Sequence, residues 1–141
     1  MAKLFSLKPK YSQKIFEGTK LVEFRRQNVN VSRKEVCLIY SSNPIKKIEG
    51  YFIVEDKIRL PLKELWERTK NIGGIDLEEF MSYFEGCEFG TAIVFNSVRK
   101  IKGELSLENI RISIDSSFRP PQSYYNLSGK LEKLIGLTIQ V

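Results

Sequence analysis

Residues 4–26 read LFSLKPKYSQKIFEGTKLVEFRR, and they place a strand, a helix and a second strand in close succession. Leu4-Phe5-Ser6-Leu7 is a short apolar strand. Pro9 supplies a fixed φ suited to a first helical turn, Tyr11 and Ile15 fall on one helical stripe, and Gly18 is a natural C-terminal stop. The spacing predicts a helix over 10–17. From Val22 to Arg26 the pattern becomes period two, with Val22 and Phe24 facing one way and Glu23 and Arg25 the other.

Downstream, Val36-Cys37-Leu38-Ile39-Tyr40 is apolar without alternation, as expected of a strand covered on both faces, and Ser41-Ser42-Asn43-Pro44 breaks it with turn residues. Lys47–Ile58 reads as a long strand. Pro61 opens a helix carrying Leu62, Leu65, Trp66 and Thr69. Asp76 with Glu79 forms a capping box ahead of a stripe of Leu77, Phe80, Met81 and Phe84, expected to be buried. Thr91–Phe95, continuing to Arg99, is a further strand. Leu105–Ile110 reads as an irregular turn, Pro121–Leu127 as a short helix, and Lys130–Val141 as a helix followed by a terminal strand. Strands and helices do not alternate regularly, which argues against a doubly wound parallel sheet. An α+β fold fits better: a small curled sheet or barrel of about five or six mostly antiparallel strands with peripheral helices.

The 141 residues, 42% apolar and 28% charged, form one domain, 1–141, with enough chain to bury a core unaided. No apolar run approaches a membrane span and no signal-peptide h-region follows the Lys-rich start, so the expectation is a soluble cytoplasmic protein. Histidine is absent, which removes Ser-His-Asp triads, Cys-His dyads and His-ligated metals. Cys37 and Cys87 make no zinc or redox motif; Cys37 reads as a small core hydrophobe. No metal and no organic cofactor is expected. The net charge of +6 is uneven: residues 1–50 hold 11 basic against 4 acidic residues, and the rest of the chain is close to neutral. Such a surplus suits a phosphate-bearing or otherwise anionic partner.

Two segments could carry chemistry. In the first, Lys8 stands at a helix entrance, a plausible anion site, and Arg25 could grip a phosphate or base edge bidentately. Glu23 could accept from an exocyclic amine or simply pair with Arg25 along the strand. Lys20 follows a Gly-Thr turn and is expected to be a solvated turn lysine. Catalytic work would need its pKa depressed by burial or by a neighbouring cation. In the second, Ser116-Ser117-Phe118-Arg119-Pro120-Pro121-Gln122-Ser123-Tyr124-Tyr125 offers a stiffened loop with stacking faces and an amide for a base, or a proline turn packed over a barrel end. Trp66 reads as packing rather than as part of a base cage. Gly73-Gly74 lacks phosphate-loop spacing and reads as a flexible connection between helices.

Ser6-Leu7-Lys8-Pro9 followed by Tyr11, Ile15, Gly18, Lys20, Glu23 and Arg25 resembles the opening motif of the ASCH domain family, within the PUA-like superfamily. Leu38–Pro44 with Ile48-Glu49-Gly50, Pro61–Trp66, Phe80–Gly86 and Phe118–Ser123 are similar to other parts of the family, in a subgroup described as small predicted RNA-binding or regulatory proteins. The resemblance implies a small β-barrel with a basic cleft beside it for RNA or a nucleotide-like ligand. Lys8, Lys20, Glu23 and Arg25 match its polar cleft positions, while Ser41, Ser42 and Arg119 lie near the cleft by analogy, and Gln122 and Tyr124 would border it. Some members hydrolyse acetylated cytidine with a lysine, a threonine three residues later and a distant glutamate. Lys20 matches that lysine, but Glu23 stands where the threonine would be, so the activity is not carried over. The expected function is RNA or nucleotide binding. The rivals are a hydrolase of modified nucleosides, with Lys20 and Glu23 as its candidate catalytic pair, and a reader of modified bases in DNA.

Overall fold

The computed structural model describes residues 2–139, with side chains as far as Gly136. In chain order the elements are β1 (Lys3–Leu7), α1 (Pro9–Glu17), β2 (Val22–Arg25), β3 (Val36–Ser41), β4 (Lys47–Pro61), α2 (Leu62–Thr69), α3 (Leu77–Tyr83), β5 (Phe89–Lys100), α4 (Leu107–Ser113), β6 (Tyr124–Asn126) and α5 (Gly129–Ile139). The strands form one sheet in the order β2-β5-β4-β3-β1-β6. Every pairing is antiparallel except β1 with β3.

β3 is the hinge of the architecture. Its alternate side chains enter different cores: Cys37 and Ile39 pack with Phe5, Phe52 and Phe95, while Leu38 and Tyr40 pack with Leu4, Ile110, Leu131 and Ile135. An unbroken apolar run is therefore what this strand requires. β4 is long enough to pair with β3 at one end and with β5 along its length, and register shifts around Val54 bend it. Such irregularities increase local twist and curl a sheet, which here becomes a half-barrel. A third core lies beneath α2 and α3, where Phe24, Leu65, Phe80 and Phe84 meet at 0–5% exposure. Trp66 packs against Phe80 with ring centroids 5.2 Å apart.

Three local expectations are corrected. Leu77 and Met81 are about half exposed, whereas Phe80 and Phe84 are fully buried, so α3 turns only one edge of its apolar stripe inward. The stretch read as an irregular turn after Leu105 contains α4, opened by Ser106, whose hydroxyl accepts the N–H of Asn109 at 3.1 Å. Pro121–Leu127 does not form a helix. Its chain runs along β1 as β6, with Ser6 N–H donating to Ser123 O and Leu127 N–H to Ala2 O. The free edge of β1 offers the ladder partners that an isolated helix turn would lack. At the end, the expected helix is α5, which runs through Ile139, and Gln140 and Val141, where the expected terminal strand would follow, lie outside the described residues.

Candidate functional site

The two outer strands of the sheet, β2 and β6, do not pair with each other; side chains close the seam between them. Arg25 on β2 donates through Nη1 to Ser123 Oγ (2.9 Å) and through Nη2 to Ser6 O (3.3 Å), and its guanidinium lies 4.9 Å over the Phe5 ring. Its Nε donates to Glu23 Oε2 at 2.9 Å. The i, i+2 ion pair allowed by strand alternation is thus formed. It is mostly buried, with side-chain exposures of 12% and 8%.

Beside this seam opens a cavity of about 160 Å³. Lys8, Tyr11 and the end of β1 form one wall, Lys20, Glu23 and Arg25 another, and Ile75 and Tyr83 of the helical side complete it. Lys8 is the N-cap residue of α1, exposed, with no side-chain cap bond, and the first turn of that helix carries no acidic residue. Lys8 and, one turn on, Tyr11 bring the start of that helix to the border of the cavity.

Lys20 departs most from its expectation. It is 1% exposed rather than solvated. Gly18, at φ +85°, ends α1 by donating its N–H to Ile15 O, and the chain then turns inward, with Leu21 N–H donating to Ile72 O. Nζ of Lys20 donates to Gly73 O at 2.8 Å and lies 4.6 Å over the Phe24 ring and 5.3 Å over that of Tyr11. Burial pulls its pKa down from 10.5 to about 8; the nearby Lys14 charge acts the same way, and Glu23 and Glu79 oppose it. Lys14 reaches the next carbonyl, Gly74 O, at 2.8 Å. The Gly73-Gly74 connection is consequently part of the site, a role its sequence did not signal. Gly74 sits at φ +70°, where a Cβ would come within 2.8 Å of Lys20 Cβ, so only glycine fits.

Tyr83 was not singled out by sequence. Its hydroxyl donates to Phe24 O at 2.9 Å, and burial pushes its pKa up to about 12. That hydroxyl stays protonated and the ring is fixed as a wall.

Lys8, Lys20, Glu23 and Arg25 thus line one cavity. Tyr124 lines an adjoining hollow with Arg25 and Ser123, its ring stacked on Phe5 at 5.1 Å. The other expected residues lie elsewhere. Ser41 is fully buried under α1, where its hydroxyl bonds Ser12 and Glu49. Ser42 continues the β1–β3 ladder through its N–H to Leu7 O. Arg119 is exposed and contributes its carbonyl to the Tyr125 hydroxyl, and Gln122 is exposed beside the seam without lining either hollow. Ser41 and Ser42 are held at the end of β3 by α1 and β1, and β6 begins only at Tyr124, so Arg119 and Gln122 lie in the irregular chain before it. Cys37 is fully buried, with its thiol pushed up to about 12 by burial. Among the described residues no group of three Cys, Asp or Glu side chains is placed to hold a metal ion, and no helix is long and apolar enough to cross a membrane.

No protein-family profile matches the chain. It is 30% identical over 139 residues to the ASCH domain-containing ribonuclease of Zymomonas mobilis, covering 98% of this chain and 93% of that protein. The crystal structure of ASCH from Zymomonas mobilis superposes with a TM-score of 0.86 at 29% identity, over 99% of this chain and 96% of that one. The N-terminal domain of Staphylothermus marinus McrB shares the fold alone, with a TM-score of 0.62 at 10% identity over 96% and 93% of the two chains. With the opening motif, the half-barrel and a relative matched from end to end, the chain belongs to the ASCH domain family.

Proposed function

We propose that this protein binds single-stranded RNA at the seam cavity, one nucleotide unit entering it while the flanking phosphate rests between Lys8 and Arg25. The observation that carries this reading is the gathering of Lys8, Lys20 and Arg25, from three separate segments, around one open hollow. Arg25 has five N–H donors, and three are taken by Glu23, Ser123 and Ser6, so two remain for a phosphate held by an already fixed guanidinium. Tyr11 and Tyr83 supply ring surface for a base. A full-length relative named a ribonuclease supports RNA as the ligand. Fluorescence anisotropy of a short labelled RNA across a salt series tests it. The two phosphate-facing cations, Lys8 and Arg25, should give a log–log slope of about −1.4 on a single strand. Absence of binding at low salt, or equal binding by a Lys8→Ala/Arg25→Lys double variant, would refute it.

A second reading, cleavage of the bound strand, is favoured by the lowered pKa of Lys20. An amine titrating near 8 is partly neutral at cellular pH and suited to proton transfer. Neutral Lys20 would take the ribose 2′-hydroxyl proton; the 2′-oxygen would attack phosphorus, forming a cyclic phosphate. The departing 5′-oxygen would leave with a proton from water, and Arg25 would face the charge that develops on the phosphoryl oxygens. Deacylation of a modified nucleoside is less well served, because Glu23 replaces the family's threonine and its carboxylate is committed to Arg25. Cleavage of end-labelled RNA that rises through pH 8 and disappears in Lys20→Met is the expected result. Cleavage that persists in that variant would remove Lys20 from the chemistry.

A further inference from the structure

The seam continues past Arg25. A second hollow of about 500 Å³ shares Arg25 and Tyr83 with the first cavity, so the two are neighbours along β2 rather than separate sites. Its other walls are the chain after β2, from Arg26 to Val29, and on the far side Cys87, Ser123 and Tyr124.

Three features make it a built surface. Its backbone is pinned from behind: Arg59 Nη1 donates to Arg26 O, Thr91 Oγ1 to Gln27 O at 3.0 Å, and Lys57 Nζ to Val29 O at 2.9 Å. With the carbonyls held by β4 and β5, the side chains of Arg26, Gln27 and Asn28 remain exposed to solvent, and little ordering cost is left to a ligand. The Tyr83 hydroxyl is spent on Phe24 O, while that of Tyr124 accepts the N–H of Asn30 and keeps its own proton to donate, so the two tyrosines offer ring surface and one hydroxyl donor. Arg26 donates to Cys87 Sγ and to Glu85 O, which fixes its guanidinium while leaving three N–H groups unspent. Aromatic rings, two amide side chains and two fixed guanidinium groups are the composition that receives a nucleobase with its phosphate.

We propose that this second hollow receives the adjoining nucleotide of the same RNA strand, so that the protein recognises a dinucleotide step with its linking phosphate over Arg25. The inference rests on the RNA-binding reading and adds a ligand length and a second base position. A strand seated this way crosses the seam where Arg25 closes it. Ring stacking in the second position tolerates any base, while Gln27 and Asn28 offer hydrogen bonds to base edges.

Binding of a mononucleotide, a dinucleotide and a dinucleotide whose second unit lacks its base distinguishes the outcomes. The full dinucleotide should bind at least tenfold more tightly than the mononucleotide, and the abasic form should lose most of that gain. Arg26→Ala and Asn28→Ala should each lower dinucleotide affinity several-fold more than mononucleotide affinity. Equal affinity for the mononucleotide and the dinucleotide, or an abasic form that binds as well as the full one, overturns the second subsite and leaves the first cavity standing. Absence of binding by all three, with longer RNA equally silent, overturns the RNA reading and this inference with it.

Discussion

Replacing Lys20 by methionine tests the buried amine through the pH dependence of folding. Its pKa falls from 10.5 to about 8, which corresponds to roughly 3 kcal/mol of stability withheld while folded and unfolded chains both carry the proton. Between those two values the unfolded chain keeps the proton and the folded chain has released it. Stability therefore rises with pH across that window. From about pH 7 to about pH 9.5 this one group should return roughly 2 kcal/mol. Cys37 and Tyr83, both raised to about 12, act in the opposite sense, because the folded chain holds protons that the unfolded chain gives up. Both are present in wild type and variant alike, so the difference between the two proteins isolates the lysine. Urea unfolding of each at the two pH values is the assay. Wild type should gain about 2 kcal/mol more than Lys20→Met over that interval. Parallel changes, within about 0.5 kcal/mol, would mean that Lys20 titrates as an ordinary surface amine, and its burial and its part in proton transfer would both fall.

Other substitutions probe the seam and its surroundings. Arg25→Ala strands the Glu23 carboxylate, 6% exposed, and opens the contacts to Ser6 and Ser123; a loss of about 3 kcal/mol in urea unfolding is expected, partly recovered by adding Glu23→Gln. Gly74→Ala forces a Cβ against Lys20 at positive φ and should cost about 2 kcal/mol, read as a lowered melting temperature. Lys8→Ala removes an exposed side chain without a cap bond, so stability should hold within about 0.5 kcal/mol while the salt slope for RNA shrinks by about 0.7.

Much of the fold was legible because local chemistry and tertiary need coincide. The run from Val36 to Tyr40 is apolar throughout because each face of β3 belongs to a different core. Pro9 and Gly18 bound α1 by their own backbone preferences, and Asp76 caps α3 by accepting the N–H of Glu79. What escaped depends on distant partners. Pro120-Pro121 looks like a helix opening, yet the segment behind it answers to the free edge of β1, more than a hundred residues earlier. Leu77 and Met81 have the right period for burial, but the short α3 leaves that side about half exposed. Within the site, Lys8, Glu23 and Arg25 follow from a helix start and strand alternation. The burial of Lys20 comes from a glycine carbonyl 53 residues away, which spacing along the chain does not encode. Tyr83 joins the cavity for a similar reason, through Phe24 O.

The seat of the ligand can be observed directly by titrating a short single-stranded RNA into isotopically labelled protein and following backbone amide shifts. Saturable changes at Ser6, Lys8, Tyr11, Arg25 and Tyr83, weakening as salt is added, are the predicted result. Binding that leaves those amides still and moves those of α4 and α5 instead would place the RNA on the opposite face and contradict the account.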